Sequence, residues 1–179
     1  MGELVIVSGE RFTGKSTLCR RLAAEAKAQG LTVGGLLTEA VDAHTLRVTE
    51  LHSGARYPIT RPWQGGGGPL RHFVMDEAAL RRSAEALRHA LPADLFVVDE
   101  LGPTELQFGQ GWIEAISLLR EGDYRLALVV VRPTLLHEAL PRLGHPLTAV
   151  AWVTVANREA LFDLLKARLE GILAGEAKG

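Results

Sequence analysis

The chain has 179 residues, 47% of them hydrophobic, which is enough to bury one sizeable core and predicts a single domain over residues 1–179. Its formal net charge is -1, so it lacks the basic excess of a nucleic-acid partner. One cysteine, Cys19, excludes an internal disulfide and fits a reducing compartment; the apolar run 4–7 is too short for a signal peptide or a membrane span, so a cytoplasmic protein without a membrane partner is expected.

Residues 4–7 (Leu-Val-Ile-Val) predict a buried strand, and residues 15–29 a helix with Leu18, Leu22 and Ala26 on one face and Gly30 as its stop. Three further strands are expected at 32–37, 46–51 and 56–59, separated by turn residues as in an antiparallel addition. Residues 62–70 (Pro-Trp-Gln-Gly-Gly-Gly-Gly-Pro-Leu) have no periodicity, and the loop 62–69 with its run Gly65–Gly68 is expected to be mobile. A short strand at 72–75 precedes a helix capped by Asp76 and carrying Leu80, Ala84, Leu87 and Leu91. Residues 95–98 form a second apolar strand. A helix at 110–121 turns Trp112, Ile113, Ile116 and Leu119 inward. Residues 125–131 and 149–155 read as third and fourth buried strands, with a short helix at 134–140 between them. Asn157 caps a last helix bearing Leu161, Leu164, Leu165, Leu169 and Ile172. Apolar strands alternating with helices imply an α/β three-layer sandwich: a mostly parallel sheet covered on both faces, with a small antiparallel addition.

Residues 9–17 read Gly9, Glu10, Arg11, Phe12, Thr13, Gly14, Lys15, Ser16 and Thr17, which contains G-x-x-x-x-G-K-[ST] without a mismatch. The motif stands between a strand and a helix, the context it needs; a glycine turn that binds nothing is the competing reading. In a phosphate-binding loop, backbone N–H groups and the helix N-terminus face the anion. Lys15 then reaches the β- and γ-phosphates, Ser16 ligates Mg2+, and Thr17 donates to the α-phosphate. Arg11 is either solvated or adds charge near the phosphates.

The strand 95–98 ends in Asp99 and Glu100. A hard cation bridging phosphates calls for a carboxylate at a strand end beside the phosphate loop, the role assigned to Asp99 as a Walker B residue. Glu100 lies one residue further and is placed to orient or deprotonate an attacking water. The plain alternative is a pair of acids opening a turn. Lys15, Asp99 and Glu100 are thus the catalytic candidates, and Ser16 and Asp99 the metal candidates. Glu105 is a helix-start acid or a site residue, and Thr38-Glu39 ends a strand that can face the same cleft. Arg132 follows a buried strand, where it is solvated or meets the γ-phosphate. The six histidines (His44, His52, His72, His89, His137 and His145) show no metal-ligand spacing, and Trp63 is a loop anchor or a base-stacking ring.

Three segments carry a resemblance: Gly34-Gly35-Leu36-Leu37-Thr38-Glu39, Val98-Asp99-Glu100-Leu101-Gly102-Pro103-Thr104-Glu105-Leu106, and Val155-Ala156-Asn157-Arg158-Glu159. With the P-loop they resemble the small P-loop nucleoside-triphosphatases of the thermophile type, the family of the human cancer-related nucleoside-triphosphatase, over roughly residues 4–169. The resemblance implies a RecA-like or Rossmann-like P-loop fold. It also implies Mg2+-dependent hydrolysis of ATP, GTP and other nucleoside triphosphates with weak base selectivity. The chain departs from the family at Glu10 and Arg11, at Pro103, at Val41-Asp42-Ala43 and in the glycine run. A P-loop kinase is the alternative, although Arg81, Arg82 and Arg88 read as a solvated helix face. A guanine-specific switch lacks its Asn-Lys-x-Asp motif here, and a transporter ATPase its Leu-Ser-Gly-Gly-Gln signature. A monomer is expected.

Overall fold

The computed structural model describes residues 2–42, 44–62, 73–144 and 148–176. Strand β1 (Glu3–Ser8) leads through the P-loop into helix α1 (Lys15–Ala28), then β2 (Val33–Ala40), β3 (Leu46–Glu50), β4 (Arg56–Pro58) and β5 (Thr60–Pro62). There follow β6 (Phe73–Met75), α2 (Glu77–Arg88), β7 (Ala93–Leu101), the short helix α3 (Pro103–Leu106), α4 (Glu114–Glu121) and β8 (Tyr124–Val131). A 3-10 turn (Pro133–Leu135) opens α5 (Leu136–Leu143), and β9 (Thr148–Trp152) and α6 (Arg158–Glu176) complete the chain.

The main sheet has seven strands in the order β4-β3-β2-β7-β8-β1-β9. Five neighbours, from β2 to β9, run parallel, while β3 and β4 pair antiparallel at one edge. The expected α/β sandwich and antiparallel addition are therefore present. β8 stands between the P-loop strand β1 and the acidic strand β7. Successive strand residues point to opposite faces. Leu4 and Ile6 accordingly enter the core under α2, α4 and α5, and Val5 and Val7 the core under α1 and α6. Leu18, Cys19, Leu22, Ala23 and Ala26 form the buried stripe of α1 at helical spacing. The Gly34-Gly35 pair serves close approach: a Cβ on Gly34 would lie 2.0 Å from the Ala90 carbonyl oxygen, and one on Gly35 1.9 Å from that of Val97.

Several local readings need correction. The 149–155 segment was expected to be buried; β9 is an edge strand ending at Trp152, whose Ala149 and Ala151 pack on the core under α1 and α6, while Val150 and Trp152 on its other face, and Val155 in the turn beyond, are exposed. Ile113 and Leu164 face solvent, whereas Trp112 and Leu119, and Leu165 and Leu169, named with them, are buried as expected. Pro62, read as loop, ends β5, which pairs with β6 in a separate two-stranded sheet. Trp63, His72, His145 and the glycine run lie outside the described residues.

Candidate active site

The P-loop is held at both ends by backbone geometry. The Ser8 hydroxyl at the end of β1 donates to the Val131 carbonyl (2.8 Å), and the Val153 N–H donates to the Ser8 carbonyl (2.7 Å). Gly9 then leaves the sheet at φ 144°, where a Cβ would meet the Val153 carbonyl oxygen at 2.3 Å. Gly14 is left-handed at φ 102° and opens α1, which has no side-chain cap, so its first N–H groups are directed at the loop's interior. Thr13 closes the loop through its hydroxyl on the Glu10 carbonyl (2.9 Å). The Lys15 ammonium crosses the loop and donates to the carbonyls of Gly9 (2.7 Å) and Glu10 (2.6 Å). Phe12 is left-handed at φ 63° and 90% exposed, with the Arg11 guanidinium 5.3 Å from its ring. Glu10, Arg11 and Thr17 are exposed.

Asp99 is 1% exposed, and neither carboxylate oxygen makes a hydrogen bond of good geometry, although the Ser16 hydroxyl and the Thr38 backbone stand near enough to act on it. Burial pushes its carboxyl up to about 7. The Glu100 charge adds to the rise, while the Ser16 hydroxyl, the Arg20 charge and the Thr38 backbone oppose it. Asp99 was expected beside the P-loop, with Ser16. β8 stands between β7 and β1, and Asp99 meets the loop through Ser16 at the start of α1. The same burial, with the Asp99 charge second, raises the Cys19 thiol well above its ordinary range. That keeps Cys19 protonated and unreactive.

Glu100 is half-buried and pairs with Arg132, Nε to Oε1 at 2.5 Å. The register of β7 against β8 shifts between Val98 and Leu101, where the two acids sit. Arg132 is thus neither simply solvated nor alone; it clamps the acid next to Asp99. Sequence reasoning named both residues but not the pair, since their separation of 32 positions conceals that β7 and β8 are neighbours.

The weaker candidates separate into scaffold and site. Glu105 is structural: its carboxylate accepts from the N–H groups of Gly102 (3.0 Å) and Trp112 (3.1 Å). Burial raises its carboxyl, opposed by those two donors. Glu39 links Arg20 of α1 to Arg47 of β3, both at 3.3 Å, which ties the antiparallel addition to the P-loop helix. Asn157 turns its side chain backwards: Oδ1 accepts from the Thr154 N–H (2.8 Å) and Nδ2 donates to the Trp152 carbonyl (2.9 Å). It pins the 152–157 turn where it was expected to cap α6. Of the arginines read as a solvated face, Arg82 binds buried Glu50 (3.2 Å) and lies 4.0 Å over the Tyr57 ring, and Arg88 pairs with Glu114. Among the described residues no cluster of histidine, cysteine and acidic side chains of metal-binding form occurs. Arg158, quoted earlier only as part of a motif, lies over the P-loop: a Cβ on Gly14 would be 3.4 Å from its Cδ.

A family model described as NTPase matches residues 4–165. The chain belongs to that NTPase family. The nucleoside-triphosphatase THEP1 of Pyrococcus abyssi is 28% identical over 172 residues, covering 93% of this chain and 92% of the relative. The THEP1 of Thermococcus kodakarensis is 29% identical, with 96% of each chain covered. The crystal structure of THEP1 from the hyperthermophile Aquifex aeolicus superposes with a TM-score of 0.64 at 15% identity, covering 93% of this chain and 99% of that one. That last likeness speaks for the fold this NTPase family member adopts. Among its described residues, no helix is long and apolar enough to cross a membrane.

Proposed function

We propose that this protein hydrolyses nucleoside 5'-triphosphates to the diphosphate and phosphate, with Mg2+ as cofactor and weak base selectivity, as a single-domain cytoplasmic monomer. The observation that carries the reading is the buried carboxylate of Asp99, which no hydrogen bond of good geometry satisfies, next to Ser16 of the P-loop. An unpaired buried charge is costly unless a cation or a proton compensates it. A site with one hard carboxylate, one hydroxyl and phosphate oxygens suits Mg2+. Ser16 and Asp99 would hold the ion, which supplies charge neutralisation on the phosphates when bound.

The remaining chemistry belongs to the chain. The N–H groups from Gly9 to Thr17 bind the phosphate oxygens, and Lys15 exchanges its contacts with the Gly9 and Glu10 carbonyls for the β- and γ-phosphates. Glu100 accepts the proton of the attacking water. Arg132, already on Glu100, fixes the direction of that carboxylate. Membership of an NTPase family supports hydrolysis over transfer to an acceptor.

The test is phosphate release from ATP, GTP, CTP and UTP, with and without Mg2+ and with candidate phosphoryl acceptors. All four should turn over, within about 100-fold of one another in kcat/KM. Lys15→Ala should abolish both binding and turnover. Near-parental nucleotide affinity in that variant, or phosphate appearing only on an acceptor, would refute the reading.

A further inference from the structure

On the reading just given, the triphosphate occupies the P-loop, and a nucleoside must extend from it over some adjoining surface. We propose that the turn 152–158, with Arg158 as its principal residue, is the wall that receives the nucleoside, and that it does so by stacking and apolar contact. The turn is built against the P-loop. Ser8 pairs with Trp152 across β1 and β9, the Val153 carbonyl faces Gly9, and the Arg158 side chain crosses Gly14.

The turn presents exposed apolar side chains, Val155 at 65% and Trp152 at 44%, and the apex of the P-loop carries Phe12 at 90%. Phe12 also holds a left-handed backbone that a bulky L-residue adopts only at a cost. Strain together with full exposure of an aromatic ring is a poor arrangement for stability and a good one for a ligand that supplies the missing contact. Arg158 offers a planar cation next to this surface. Guanidinium planes and aromatic rings stack on any base, because every base has a π-face.

The turn's amide is already committed. Asn157 spends Oδ1 on Thr154 and Nδ2 on Trp152, so the side chain best suited to read a base edge serves the turn itself. A wall that recognises faces and not edges discriminates little between bases, since strong discrimination needs buried polar groups left unpaired by the wrong ligand.

The experiment measures dissociation constants for ATP, GTP, CTP, UTP and inorganic triphosphate, all with Mg2+, on the parent, Arg158→Ala and Val155→Ser. Inorganic triphosphate carries the phosphates without a nucleoside. Arg158→Ala should weaken all four nucleotides by about tenfold, and Val155→Ser by a smaller factor. Affinity for inorganic triphosphate should stay within about twofold, the scatter of additive surface changes. Three results would overturn the proposal: unchanged nucleotide affinity in both variants, a loss confined to one base, or an equal loss for inorganic triphosphate, which would make Arg158 a phosphate ligand. A parent that binds neither nucleotides nor inorganic triphosphate would remove the underlying reading, and this one with it.

Discussion

Asp99 and Glu50 are both buried carboxylates at strand ends, and they have been treated in opposite ways. Glu50, at the end of β3, accepts from Ser53 (2.5 Å) and Arg82 (3.2 Å). Burial alone would raise its carboxyl, but Ser53, Tyr57 and Arg82 outweigh it and the group sits below its ordinary range. Asp99, near the end of β7, makes no hydrogen bond of good geometry and sits at about 7 despite the nearby Ser16 hydroxyl and Thr38 backbone. The first is a carboxylate used up by the fold; the second, on the proposed reading, is one left for a cation. Burial by itself therefore says nothing about function. The hydrogen-bond inventory around the buried group does.

The largest expected effect falls on the ligand side of this comparison. Glu100→Gln should leave Mg2+–nucleotide affinity nearly intact while kcat drops by about 10²- to 10⁴-fold, the usual worth of a general base. Asp99→Asn should instead weaken Mg2+ dependence and turnover together. Steady-state hydrolysis with a parallel binding titration separates the two. If Glu100→Gln turns over at the parental rate, Glu100 is not the base.

Next in size is the stability of Asp99→Asn without divalent cations. The folded carboxyl sits at about 7 against an ordinary 3.8, so the folded state holds its proton more tightly than the unfolded chain. That contribution is complete below about pH 4 and disappears as pH rises through 7, leaving a buried charge. Denaturant titrations in chelator should show Asp99→Asn gaining up to about 4 kcal/mol on the parent at pH 8, and no such gain at pH 4. An equal difference at both pH values would contradict the asymmetry between the two carboxylates.

Glu50→Gln tests the scaffold side. It should cost about 1–3 kcal/mol of stability through the lost charged partners, with kcat per folded molecule close to the parent. A selective loss of kcat would place Glu50 in the site. The smallest effect belongs to Phe12→Gly, which relieves a left-handed phenylalanine and should raise stability by about 1 kcal/mol while weakening nucleotide binding. Thermal unfolding of the free protein reads the first part, and a nucleotide titration the second.

Much of this was legible in the chain. The P-loop motif needs eight consecutive residues, 9–16, and the parallel strands are continuous apolar runs, so both are local signals. Asp76 capped its helix as its position suggested, with Oδ1 accepting from Ala79 at 2.9 Å. What could not be read was adjacency. Motif logic brought Ser16 and Asp99 together, but strand order decides that Arg132 meets Glu100, and no local pattern encodes that order. Strand β5 was missed because three residues ending in proline are too short to show alternation. The exposure of β9 was missed because an apolar edge strand reads like a central one.

The strand between the two motifs acts as a ruler. Neighbouring strands lie about 4.8 Å apart, so the placement of β8 sets the ends of β1 and β7 about 10 Å from one another. Adjacent strands would halve that distance. On the proposed reading, one strand of spacing leaves width between the loop and Glu100 for a phosphoryl group and a water in line behind it. The Ser8–Val131 hydrogen bond fastens the ruler at its business end, directly before Arg132. On that reading the fold meters the distance between anion and base with backbone pairing and leaves to side chains only the aim.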